Sequence, residues 1–144
     1  MPIRSAFLVS LLVSLASAQS VIITAPTTLN PGATTIMPTG GGSPVPLASA
    51  DITVRGTTLT MNGRHAIRSL TIERSPGNEP GVLTHTAGFT FDYSGGSGTD
   101  VVRGFDLTIS ENLSVQGAQS SFVASGIYAD GRGHGGGTGP GAGG

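Results

Sequence analysis

One short unit recurs along this chain: an aliphatic residue, a hydroxyl residue, then an aliphatic residue. It occurs as Ile52-Thr53-Val54, Leu59-Thr60-Met61, Leu70-Thr71-Ile72, Leu107-Thr108-Ile109 and Leu113-Ser114-Val115. On an extended backbone successive side chains point to opposite faces, so each unit turns two aliphatic side chains one way and its hydroxyl the other. Each is therefore read as a short strand with one buried face. Turn residues separate the units: Arg55-Gly56, Asn62-Gly63, Pro76-Gly77-Asn78, Pro80-Gly81 and Gly117.

Two all-β architectures accommodate short strands with frequent turns. One is a parallel β-helix or solenoid, in which similar units stack as successive coils. The other is an antiparallel β-sandwich, which Asn62-Gly63 favours if it is a hairpin turn. The likeness of the units favours the solenoid. Residues 51–130 then supply about three to four coils at a period of ~20–25 residues, near the minimum for a stable stack. The low charge content, 10% against a usual quarter, and 24 glycines in 144 residues agree with extended, turn-rich structure.

The flanking segments read differently. Met1-Pro2-Ile3-Arg4, the apolar run AFLVSLLVSLA and Ala16-Ser17-Ala18 form a secretory leader, with cleavage expected after Ala18. The apolar run is well short of the ~20 residues that span a bilayer, so no membrane insertion is expected after cleavage. Residues 19–50 hold one short strand around Val21-Ile22-Ile23-Thr24. Pro26, Pro31, Pro38, Pro44 and Pro46 follow, and proline gives no ladder donor, so the segment is read as a cap or linker with an edge pairing at residues 34–37. Residues 131–144, GRGHGGGTGPGAGG, bring few side chains to bury and read as a flexible tail.

With no cysteine, the chain has no disulfides, no thiol catalysis and no cysteine metal ligands. A formal net charge of −1, with arginines that do not cluster, gives no footprint for nucleic acid.

The stretch of residues 95–103, GGSGTDVVR, fits the calcium-binding nonapeptide G-G-x-G-x-D-x-U-x. Calcium takes six to eight oxygens, and one copy supplies half a site. Asp92, Asp100 and Asp106 are the acids dense enough to converge on such an ion. The reading carried forward is a glycine loop, with no cofactor, and calcium is the alternative. Phe89, Phe91 and Tyr93 alternate, so on one strand they share a face. That row is read as a buried aromatic stack, with stacking on sugar rings as the alternative. His65, His85 and His134 show no zinc spacing. No catalytic residue is assigned.

Three stretches carry a family likeness: TVRGTTLTMNGRHAIRSLTIE, GVLTHTAGF, and FDLTISENLSVQGAQSSFVASGIYADGRG running into the glycine tract. Across about two thirds of its length the chain resembles the N-terminal region of large secreted, glycine-rich bacterial proteins with right-handed parallel β-helix, pectate-lyase-like character. The resemblance implies the start of such a helix, incomplete within this chain because the coils of such proteins continue past the glycine tract, and an extracellular or surface role. Two functions are weighed. The first is a non-enzymatic secreted or cell-surface structural or adhesive module. The second is a carbohydrate-binding or polysaccharide-cleaving protein, a lyase or hydrolase, working at the aromatic row or near Asp92 and Asp106. Extracellular polysaccharide or cell-surface components are the expected partners.

Overall fold

The computed structural model describes residues 17–92, 101–117 and 125–128. The described chain is all-β. A first pass runs through β1 (Gln19–Ile23), β2 (Thr27–Leu29), β3 (Thr35–Ile36), β4 (Val45–Pro46) and a single 3-10 turn at Leu47–Ser49. A second runs through β5 (Ala50–Arg55), β6 (Thr58–Met61) and β7 (Gly63–Ile67). A third holds β8 (Ser69–Glu73), β9 (Val82–Thr84), β10 (Thr90–Asp92), β11 (Val101–Arg103) and β12 (Phe105–Ile109). A fourth holds β13 (Leu113–Val115) and β14 (Gly126–Ile127).

Each pass lays its strands beside those of the pass before. One sheet has the order β1-β5-β8-β13, a second β2-β6-β9-β14, and β7 pairs with β12. All these pairings are parallel. Antiparallel pairing is confined, among the described residues, to β3 with β4 and β10 with β11. The triplet repeat thus builds parallel sheets, and the antiparallel layers of a sandwich are not what these strands form. The passes are unequal. Arg55 and Glu73, which pair between β5 and β8, are 18 residues apart. Arg68 and Glu111 on the next pass are 43 apart, because residues 74–81 and the β10–β11 excursion lengthen it.

Register explains the core. Val21, Ile52, Leu70 and Leu113 are aligned across the first sheet, as are Ile23, Val54, Ile72 and Val115. In the second, Thr27, Leu59, Leu83 and Ile127 are aligned. The aliphatic members in the first three passes are buried, as are Met61 and Ile67. Thr53, Thr60 and Thr71 fall on the opposite, partly exposed face. Burying a side chain of this size contributes roughly 1.5–3 kcal/mol, so aligned columns concentrate the stabilising burial in a narrow interior.

Residues 19–50, read from sequence as a cap or linker, place β1 and β2 in the two larger sheets and then cover the end of the stack. Ile36 on β3, Val45 on β4 and Leu47 in the 3-10 turn join the same buried cluster as Val21 and Ile23. Thr39 donates its backbone N–H to the Ile22 carbonyl at 3.1 Å, and Thr24 N–H donates to Thr39 Oγ1 at 3.1 Å. These residues close over the inward side chains of β1 and engage its outer edge at Ile22 and Thr24, and covering an edge in this way hinders edge-to-edge association.

Asn62-Gly63 is a corner between two sheets, not a hairpin turn. Asn62 N–H donates to the Leu29 carbonyl of the previous pass and Gly63 N–H to the Gly104 carbonyl of the next. Gly63 has φ of +84°, and a Cβ there would lie 3.2 Å from Pro31 Cβ. Backbone conformation and space both select glycine at this bend.

Candidate functional site

The charged side chains form the first arrangement of interest. Arg55 on β5 faces its register partner Glu73 on β8, with Nε 2.5 Å from Oε1. Arg64 on β7 faces its register partner Asp106 on β12, Nε to Oδ2 3.2 Å. Arg68, between β7 and β8, reaches both neighbouring passes: Nη1 lies 2.8 Å from Asp51 Oδ2 and Nε 2.8 Å from Glu111 Oε1. Arg74 donates from Nε to the Gly117 carbonyl at 2.8 Å. Glu79 is engaged by Ser75 Oγ. Each arginine named here joins one pass to another. Glu73, Asp106, Asp51 and Glu111 are each held against an arginine, and among the described residues no three acidic or histidine side chains converge.

The second arrangement is a polar corner beside β7. Asn62 donates from Nδ2 to Thr86 Oγ1 at 2.9 Å, and its Oδ1 accepts from Thr86 N–H at 2.9 Å. His65 and His85 are 3% and 2% exposed. His65 Nε2 lies 2.9 Å from the Asn62 carbonyl, while Nδ1 is buried with no hydrogen-bond partner among the described residues. His85 Nδ1 lies 3.0 Å from the Thr86 carbonyl, and its ring centroid is 6.1 Å from that of Phe105. Gly104 passes close beneath, where a Cβ would come within 3.1 Å of His85 Nε2. The cluster stitches the β6–β7 corner to the pass above it. Sequence reading marked Asn62 as a turn residue and gave the histidines no common place. No periodic signal joins residue 62 to residue 86, so only the chain path reveals the pairing.

The residues singled out for calcium and sugar fall as follows. Asp92 closes β10 opposite Val101, and Asp100 lies outside the described residues. Asp106 stands on β12, held by Arg64. The nonapeptide enters the described residues at Val101, whose strand β11 pairs antiparallel with β10 inside one excursion rather than with a neighbouring pass. Among the described residues no group of three or more His, Cys, Asp or Glu is placed to hold a metal ion. Phe89 precedes β10 and is half-buried; it donates its N–H to the Thr86 carbonyl and accepts from Gly104 N–H. Phe91 lies in β10 opposite Val102, and Tyr93 is outside the described residues. Strand β10 thus holds only the middle member of the aromatic row. Residues 1–16, read from sequence as the charged and apolar regions of a leader, and the glycine-rich residues 131–144 also lie outside the described residues.

Among the described residues no helix is long and apolar enough to cross a membrane. No family model matches this chain, and comparison with curated proteins and with solved structures finds nothing similar to it.

Proposed function

We propose that this chain is a non-enzymatic, exported structural or adhesive module, built as a short right-handed parallel β-helix. The leader-like N-terminus directs it out of the cell, and the stack serves there as a stalk, scaffold or contact surface. The observation that carries this reading is the use of charge. Arg55, Arg64 and Arg68 hold Glu73, Asp106, Asp51 and Glu111 from one pass to the next. Catalysis by acids and bases needs such groups gathered in one cleft, whereas a structural stack benefits from ties between its layers.

Right-handedness is argued from the general rule for parallel crossover connections. Three parallel pairings visited in the same order on the second and third passes support the reading of a closed coil. The outer row that results is Thr53, Thr71 and Ser114, small polar and partly exposed positions suited to lateral contact.

Two experiments test the reading. Mass spectrometry of the chain recovered from outside an expression host is expected to find Gln19 as the first residue; retention inside the cell with Met1 intact contradicts export. A polysaccharide panel, assayed for binding and cleavage with and without calcium, is expected to show no turnover. Cleavage that needs calcium and is lost in Asp100→Asn would establish the carbohydrate-active alternative instead. Phe89, partly exposed at the foot of the β10–β11 excursion, is where that alternative would place a sugar.

A further inference from the structure

The two ends of the stack are unlike. At the first, Val21 and Ile23 on edge strand β1 are fully buried beneath residues 33–47. At the other, Leu113 is 52% exposed, Val115 48% and Ile127 43%. These are inward positions, aligned with the buried Leu70, Ile72 and Leu83 of the pass below. They occupy the core columns but have nothing above them among the described residues.

Among the described residues the backbone of β13 has no strand partner along the same edge. Leu70 N–H donates to the Asn112 carbonyl, and Gln116 N–H donates to the Ile72 carbonyl. In a parallel ladder this directs residues 112, 114 and 116 toward β8 and leaves the N–H and C=O groups of Leu113 and Val115 facing the open edge.

We infer that the open end is an interface for a second copy of this chain, joined through antiparallel pairing of β13 with its counterpart about a twofold axis at Ser114. The edge is self-complementary in that register. Leu113 of each copy lies opposite Val115 of the other, and these are the residues whose outward backbone groups have no partner among the described residues, so they form the hydrogen-bonded pairs. Ser114 meets Ser114 on the outer face as the non-hydrogen-bonded pair. Asn112 lies opposite Gln116, and Glu111 opposite Gly117, so no like charges are opposed. The Leu70–Leu113 column of one copy runs on into the Val115–Ile72 column of the other. Because the opposite end is covered, the association closes at two copies and does not propagate into a filament.

The full chain, purified as the expression host processes it, is tested by sedimentation velocity over a concentration series and by a cysteine probe. The expected result is a concentration-dependent rise from one to two copies, abolished in Leu113→Glu. The chain has no native cysteine, so Ser114→Cys introduces the sole thiol. Non-hydrogen-bonded antiparallel partners lie ~4.5 Å apart at Cα, within disulfide reach. Ser114→Cys is therefore expected to form a covalent dimer on mild oxidation, and Thr71→Cys, on interior strand β8, is not. A chain that stays monomeric at every concentration with Ser114→Cys unlinked overturns the inference. Species larger than two copies overturn it as well.

Discussion

Arg68 bridges Asp51 and Glu111 through two different nitrogens, each contact 2.8 Å long, and so joins the second pass to the fourth at one corner. Arg68 N–H also donates to the Ala50 carbonyl, and Glu111 N–H to the Arg68 carbonyl. Backbone and side chain thus bind the same three layers. Asp51 Oδ1 is buried without a partner of its own, which leaves Oδ2 and Arg68 to compensate that carboxylate.

Removing Arg68 is accordingly expected to cost more than an ordinary surface ion pair. Arg68→Ala strands a partly buried carboxylate, for a predicted loss of about 1–2 kcal/mol by denaturant unfolding. A loss near zero would show that water reaches Asp51 freely.

The Arg55–Glu73 pair is the contrasting case. Its side chains are 40% and 23% exposed, so solvent and salt screen it. A double-mutant cycle with Arg55→Ala and Glu73→Ala is predicted to give a coupling below about 1 kcal/mol, shrinking as salt is raised. A salt-insensitive coupling of several kcal/mol would contradict this placement.

The same triplet position has different value at different heights in the stack. Leu70→Ala opens a cavity in a closed interior and is predicted to cost about 2–5 kcal/mol. Leu113→Ala, one layer up and half exposed, is predicted to cost under about 1 kcal/mol in the monomer. Equal losses measured at low protein concentration would mean that Leu113 is covered within its own chain.

At the β6–β7 corner, Asn62→Ala leaves Thr86 N–H without its acceptor and is predicted to cost about 1–3 kcal/mol. Gly63→Ala forces a side chain into φ of +84° against Pro31, for a further predicted loss of about 1–3 kcal/mol. Both are read from thermal or denaturant unfolding, and unchanged midpoints would remove the corner from the account.

The triplets made β5, β6, β8, β12 and β13 legible, because alternation survives when both inward positions are aliphatic. Strand β7 was hidden for the converse reason. Its inward positions are Gly63, His65 and Ile67, and only the last is apolar enough to mark a buried face. The edge pairing expected at residues 34–37 appears as β3 against β4. The parallel partners of β1 and β2 were not readable, since nothing in Val21-Ile22-Ile23 specifies Ile52-Thr53-Val54 across an intervening proline-rich excursion. Of the candidate site, the Arg64–Asp106 and Asn62–Thr86 pairings depend on how many residues each pass takes up. That length varies from pass to pass, so spacing alone did not bring them together.

The central claim is that successive passes lie parallel and in register, and paired cysteines in this cysteine-free chain test it most directly. Thr53 and Thr71 are register partners on the outer faces of β5 and β8, while Ser69 is displaced by two residues. Thr53→Cys with Thr71→Cys is predicted to oxidise readily to an intramolecular disulfide, and Thr53→Cys with Ser69→Cys to remain reduced under the same conditions. A reduced first pair, or a linked second pair, would contradict the register on which the rest is built.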